Sequence, residues 1–135
     1  AAAAGAEVEL SELVIVSASG RHAFMVELAD SREERAIGLM FRRDLGPDRG
    51  MLFNYRRTQP AAMWMKNTYL PLDMLFIADD GRVVNIAEDT VPGSLDTIAS
   101  AGPVRAVLEI NAGTVARLGI APADRVIHRI FGGGD

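Results

Sequence analysis

The stretch Met63-Trp64-Met65-Lys66-Asn67-Thr68-Tyr69-Leu70-Pro71-Leu72-Asp73 holds the only Trp and the only Lys of the chain. Met63 to Asn67 alternates as a strand does, so Trp64 and Lys66 are predicted to share one face of it. Pro71 cannot donate to a strand ladder and restricts the residue before it. Residues 67–73 are therefore predicted to form an irregular crossing that leads into the next strand at Asp73.

Short apolar runs on both sides of this stretch predict a chain made mostly of strands. The predicted strands lie within residues 8–16, 22–28, 50–55, 74–78, 82–87, 104–110 and 126–131. Asp79-Asp80-Gly81 is typical of a tight hairpin turn. Residues 56–60 are predicted to be a polar connection, and residues 88–101 a long loop.

Two helices are predicted, and the first has the stronger signal. Ser31 and Glu34 have the spacing of a capping box, which predicts a capped helix over about residues 31–41. Ile37, Met40 and Phe41 then form an inward-facing stripe. A short helix over about residues 113–118 is predicted to end at Gly119. These elements indicate an α+β, mainly β domain with a barrel-like mixed or antiparallel sheet.

Length and composition restrict the class of protein. The 135 residues suit one domain, predicted over residues 7–131, with a disordered tail at 1–6 and a flexible tail at 132–135. A net charge of −4 and a pI near 5.2 argue against nucleic acid as a partner. No apolar run approaches the roughly 18 residues of a membrane span, and without Cys there is no thiolate nucleophile or Cys-based metal site.

The first six residues are small and almost all Ala. They resemble the segment that follows a removed signal peptide, so we expect an exported protein, periplasmic or extracellular. The alternative is that the sequence is a trimmed domain.

Five ordered motifs carry a family resemblance, and they cover nearly the whole chain from about Phe24 to Phe131. They are residues 35–42 (RAIGLMFR), 50–53 (GMLF), 64–68 (WMKNT), 71–73 (PLD) and 107–113 (VLEINAG). Together they resemble the domain-of-unknown-function family 192, which is widespread in prokaryotes and often made with an export signal. The sequence departs from the family at Ser31, Met63 and Ala106, where Thr or aromatic residues are common. The resemblance implies an uncharacterised protein and supplies no established activity, cofactor or catalytic residue.

The candidate ligand-binding residues are Trp64, Lys66, Asn67, Asp73, Glu109 and Asn111. Glu109 lies in an apolar strand, so its carboxyl group either faces a cavity or bonds to a structural partner. Asp73 either forms an acid–base pair with Glu109 or caps a turn. Trp64 either stacks on a ligand or belongs to the core. Asn111 either helps to bind an anion at a helix start or merely leads into the helix.

Three classes of function remain open from the sequence. The first is a binding module with a groove around the Trp-Met-Lys-Asn stretch, for an unknown small molecule, glycan or protein. The second is a hydrolase that uses Glu109 or Asp73 with Lys66, and the third is a structural or interaction domain. No cofactor or metal is predicted, and His22 and His128 are expected at strand surfaces because their spacing does not fit metal ligands.

One interaction is predicted at the centre of the candidate site. A carboxylate in an apolar strand needs a partner, and Lys66 is the only ammonium side chain of the protein. Lys66 is therefore predicted to pair with Glu109 or Asp73 beside Trp64, although Arg105 or another Arg is a rival partner. The oligomeric state is not predicted.

Overall fold

The computed structural model describes residues 8–131, most of which form one seven-stranded mixed sheet. The strands are β1 (Ser11–Ser17), β2 (Gly20–Ala29), β3 (Arg49–Met63), β4 (Leu72–Ile77), β5 (Val83–Ala87), β6 (Ile98–Asn111) and β7 (Arg125–Ile127). Their order in the sheet is β5-β4-β6-β3-β2-β1-β7, and only the β2–β3 pair is parallel. The sheet curls into a half-barrel, which confirms the predicted mainly β class. The predicted tails at 1–6 and 132–135 lie outside the described residues.

The two ends of the curled sheet approach each other beside Gly81. The backbone N–H of Val126 donates to the Gly81 carbonyl at 2.7 Å, and that of Val83 donates to the Asp124 carbonyl at 2.8 Å. Gly81 has φ +90°, and a Cβ atom there would lie 2.4 Å from the Val126 carbonyl oxygen. Only glycine fits this close approach.

The long strands β3 and β6 form the centre of the sheet and correct two predictions. β3 runs through residues 56–60, which were predicted to be a connection, with a register irregularity between Asn54 and Gln59 and a positive φ at Arg56. β6 begins at Ile98, so the predicted loop at 88–101 is shorter than expected. Pairing with a distant strand decides both cases, and polar composition does not reveal such pairing.

Helix α1 (Arg32–Ile37) starts at the predicted capping box but ends four residues early. Gly38 ends it with φ 50°, and a Cβ atom at Gly38 would lie 3.0 Å from Phe53 of β3. The predicted inward stripe is therefore wrong: Ile37 and Phe41 are each 59% exposed, while Leu39 is buried.

The C-terminal elements follow the prediction more closely. Helix α2 (Thr114–Leu118) ends at Gly119, which has φ 67°, as expected. The last predicted strand stops at Ile127, and Arg129–Phe131 forms a 3-10 helix instead. None of the helices in residues 8–131 is long and apolar enough to cross a membrane.

Alternate residues of the central strands pack into two buried clusters. Leu52, Leu75 and Leu108 belong to the first cluster, and Phe53, Phe76 and Val107 belong to the second. Because neighbouring side chains of a strand point to opposite faces, the two clusters lie on opposite faces of the sheet. The sheet is thus covered on both sides, and the candidate site lies on the side of the second cluster.

Candidate functional site

The central stretch begins as predicted but turns earlier. β3 ends at Met63, and Lys66 and Asn67 form a turn, so the predicted strand over Met63–Asn67 is wrong beyond its first residue. Asn67 has φ 56°, and the Thr68 N–H donates to the Met65 carbonyl at 3.1 Å. An asparagine tolerates this left-handed conformation better than most residues. The turn buries Met65 and leaves its two neighbours exposed.

Trp64 and Lys66 do lie side by side. The Lys66 Nζ atom is 5.1 Å from the centre of the Trp64 ring, which is a cation–π contact. Trp64 is 47% exposed, so it is not a core residue. This pair presents an aromatic ring and a positive charge together at the surface.

Glu109 is the buried carboxyl group of the site. It lies in β6 opposite Met51 of β3 and Met74 of β4, so its side chain is on the same face as the second cluster. It is 4% exposed, and no hydrogen bond or ion pair joins its carboxyl group to another residue of 8–131. Burial among apolar side chains raises the pKa of Glu109 from 4.5 to about 8.

These three residues line one cleft of about 270 Å³ between α1, β3 and the Met63–Thr68 segment. The buried lining includes Glu109, Phe53 and Leu39. The exposed lining includes Arg32, Trp64 and Lys66. We call this space the Glu109 cleft; it joins a buried carboxyl group to a cationic, aromatic surface.

Arg35 and Tyr55 also line the cleft, and the sequence analysis missed them. Arg35 Nη1 donates to the backbone carbonyls of Asp30 (3.0 Å) and Asn54 (2.8 Å), and its guanidinium lies 5.6 Å from the centre of the Tyr55 ring. The Tyr55 hydroxyl donates to Met63 Sδ at 3.2 Å, and burial raises its pKa. Alternation along β3 was the available signal, since Phe53 and Tyr55 share a face.

The predicted pairing of Lys66 with a carboxylate is not formed as a direct contact. Within residues 8–131, no ion pair at 4.0 Å or less joins Lys66 to Glu109 or Asp73. The rival partner Arg105 pairs with Asp79 instead, at 3.0 Å. Glu109 and Lys66 therefore face the same cleft without neutralising each other directly.

The remaining candidates lie outside the cleft lining. Asp73 is fully buried, and its carboxylate accepts from the backbone N–H groups of Asp89 and Val115, both at 2.9 Å. Asn111 Nδ2 donates to the carbonyls of Leu45 (2.9 Å) and Gly46 (3.1 Å). Asn67 is exposed and lines a separate, shallow depression. The structure thus brings Trp64, Lys66 and Glu109 together, while Asp73 and Asn111 hold loops in place.

The expectation that both histidines are surface residues fails for His128. It is buried, and its Nε2 lies 2.7 Å from the Ser11 hydroxyl, while the Ile130 N–H donates to Nδ1 at 3.2 Å. Because Nδ1 accepts, Nε2 carries the proton and donates to Ser11. Burial lowers the pKa of His128 to about 4. Among residues 8–131, no group of three His, Asp or Glu side chains is arranged to hold a metal ion.

Comparison with known proteins places the chain among uncharacterised relatives. A crystal structure from Sinorhizobium meliloti 1021, described as a proposed transcription regulator, is 51% identical, with a TM-score of 0.87, over 93% of this chain and 99% of that chain. A protein of unknown function from Novosphingobium aromaticivorans DSM 12444 is 44% identical, with a TM-score of 0.88, over 92% of this chain and 89% of that one. No protein of curated function is similar at a significant level. The model of a family described as an uncharacterized ACR matches residues 14–128, so the chain belongs to the domain-of-unknown-function family 192.

Proposed function

We propose that this domain is a binding module that takes a small molecule in the Glu109 cleft. The observation that carries the proposal is the state of Glu109. This residue is only 4% exposed, borders the cleft, and has no hydrogen bond or ion pair with another described residue. Its carboxyl oxygens are accessible from the cleft, because Arg49 Nε is the only fully buried side-chain polar atom of residues 8–131 without a hydrogen-bond partner. A ligand in the cleft can therefore form the hydrogen bond that no described residue makes with Glu109, so the cleft is suited to a polar group at its buried end.

The hydrolase alternative has weaker support. Both carboxylate oxygens of Asp73 accept hydrogen bonds from backbone N–H groups, and Asp73 does not border the cleft. No hydrogen bond or ion pair within residues 8–131 orients the Glu109 carboxyl group, and the hydroxyl of the neighbouring Tyr55 donates to Met63 Sδ instead. General acid–base catalysis relies on a group held in place near a second one. This arrangement favours binding.

The purely structural alternative accounts for Asp73 and Asn111 but not for the exposed pair. Trp64 and Lys66 are exposed and form a cation–π contact with each other. An aromatic ring beside a cation, bordering a cleft, is typical of a binding surface.

Transcription regulation, as described for the Sinorhizobium relative, would fit this chain through ligand binding rather than through direct DNA contact. The two α-helices of residues 8–131 have only six and five residues, and the net charge of the chain is −4. Helices that read the major groove and basic surfaces are the usual means of DNA recognition.

The proposal is tested by screening a fragment library against the ¹⁵N-labelled protein and following the Trp64 indole N–H. Trp64→Ala should weaken any ligand of the cleft by about tenfold or more, because it removes a stacking surface. Tyr69→Ala is the matched control, since Tyr69 is exposed to nearly the same degree (48% against 47%) but does not line the cleft. Equal losses in both variants, or ligands that shift no cleft residue, would refute the proposal.

Lys66→Ala separates a binding role from a structural one. Because Lys66 is exposed and its ammonium forms a cation–π contact but no ion pair within residues 8–131, we expect the free energy of unfolding to change by less than about 1 kcal/mol. Ligand binding should be lost in the same variant. A loss of about 3–5 kcal/mol in urea denaturation would instead indicate a buried structural charge.

A further inference from the structure

We propose that the ligand of the Glu109 cleft is a small carboxylic acid with an apolar body, whose carboxylate accepts a hydrogen bond from the Glu109 carboxyl group. This inference rests on the proposed binding function and adds the chemical class of the ligand. It follows from the charges, the apolar lining and the isolation of Glu109.

The charges around the cleft favour an anionic ligand. Arg32, Arg35 and Lys66 line the cleft, and Glu109 is the only acidic residue of its described lining. The Arg35 Nη1 atom donates to two carbonyls, but its charge remains, and the Lys66 ammonium has no hydrogen bond or ion pair within residues 8–131. An ammonium group brought into this cleft would meet three positive charges, whereas a carboxylate is attracted by them.

The surroundings of Glu109 favour its neutral, hydrogen-donating form. β3 presents Met51 and Phe53 to it, and β4 presents Met74, all of them buried. The other titratable and charged residues that line the same cleft are Arg32 and Arg35 on α1, Tyr55 on β3, and Lys66. Asp73, the acidic residue of β4, is one position out of register and so points to the opposite face.

A neutral carboxyl group donates one hydrogen bond, and its natural partner is a strong acceptor. Its isolation in an apolar environment, which raises its pKa to about 8, leaves it protonated at neutral pH. A carboxylate is such an acceptor, and a hydrogen bond to an ionised acceptor is about twice as strong as one between neutral groups. The proton stays on Glu109 or is shared across the bond, and no covalent step is involved.

The rest of the lining fits an apolar body. Apolar side chains form most of it, namely Ala36, Ile37, Leu39, Met40, Phe53, Ala62, Met63 and Trp64. A neutral sugar would set its hydroxyl groups against these side chains and would leave the cations without an anion. An aryl or alkyl carboxylate satisfies both parts of the cleft.

Three probes test the inference: phenylacetate, phenylacetamide and phenethylamine. They share a phenyl ring on a short chain and differ in their polar group, which is a carboxylate, an amide or an ammonium. Each is titrated into the ¹⁵N-labelled protein between about pH 6 and about pH 9.5, a range that brackets the pKa of Glu109. We expect phenylacetate to bind in the cleft roughly ten- to a hundredfold more tightly than the amide or the amine. Its affinity should fall by about tenfold per pH unit above pH 8, because ionised Glu109 repels a second carboxylate.

Glu109→Gln supplies the matched variant. Its amide N–H still donates but does not titrate, so phenylacetate should bind with an affinity that no longer depends on pH in this range. If the affinity of Glu109→Gln for phenylacetate fell with pH as it does in the original protein, the inference would be overturned, because another group would then be responsible for the pH dependence.

The outcomes also separate this inference from the proposed function. Tighter binding of the amide or the amine in the cleft would overturn the carboxylate assignment and leave the binding function standing. The same holds if no probe binds but the fragment screen finds another ligand in the cleft. If neither the probes nor the screen shift any cleft residue, both proposals fail.

Discussion

Glu109→Gln should change how the stability of the protein depends on pH. The folded protein holds the Glu109 carboxyl group with a pKa of about 8, against 4.5 ordinarily. Between these values the folded state keeps a proton that the unfolded state has lost. The free energy of unfolding therefore falls as pH rises, by about 1.4 kcal/mol per pH unit. The contribution is fully present below pH 4.5 and is lost by about pH 8, for a total of about 5 kcal/mol.

The cleanest window is pH 6.5 to 8, because below pH 6.5 the titration of His128 acts in the opposite direction. Urea denaturation followed by Trp64 fluorescence, at several pH values in this window, measures the slope directly. The original protein should lose stability with rising pH, and Glu109→Gln should lose much less. The burial of an unpartnered carboxyl group would be refuted if stability had the same pH dependence in the two proteins, or if the stability of the original protein rose with pH.

Three further predictions concern single contacts. In the Glu109→Gln background, where the opposite titration of Glu109 is absent, stability should fall by up to about 3 kcal/mol as pH drops from 6.5 towards 4, since the pKa of folded His128 is lowered; adding His128→Gln should remove this acid limb in urea titrations, and its persistence would contradict the buried neutral imidazole. Ser31→Ala should cost about 1 kcal/mol by leaving the Glu34 N–H without its 3.0 Å partner; no change in the melting temperature would argue against this cap. Asp73→Ala should cost about 3 kcal/mol, because two backbone N–H groups lose their acceptor; a loss under about 0.5 kcal/mol in chemical denaturation would show that water replaces the carboxylate.

Local chemistry explains which parts of the fold the sequence predicts. The capping box at Ser31 and Glu34 and the helix end at Gly119 depend on residues a few positions apart, and the structure confirms both. Glycine is unfavourable inside a helix, yet only the close approach of Gly38 to Phe53 reveals that the helix ends there. The end of the first helix thus depends on Phe53, which is distant in the sequence and close in the structure.

The same distinction between local contacts and contacts with distant residues applies to the candidate site. The proximity of Trp64 and Lys66 was predictable from their spacing in the sequence, although the predicted strand is absent there and the contact lies at a turn. The isolation of Glu109 was not, because it depends on Met51 and Met74 lying across two ladders. A sequence shows that a carboxyl group lies in an apolar strand, but the presence or absence of its partner is a tertiary property.

Export from the cytoplasm stays a prediction from the small-residue start of the sequence. Fractionation of cells that express the complete gene product, with the protein detected by antibody, checks it. Recovery only with cytoplasmic markers would contradict the prediction.

The most direct test of the account is a ¹³C NMR titration of the Glu109 side-chain carboxyl carbon, in the free protein and with saturating phenylacetate. The account predicts a pKa of about 8 in the free protein, because the carboxyl group is buried beside the cleft without a partner. It also predicts a further rise with phenylacetate, since the ligand binds the protonated form. A pKa near 4.5 that phenylacetate does not change would contradict both the isolation of Glu109 and its place in a ligand site.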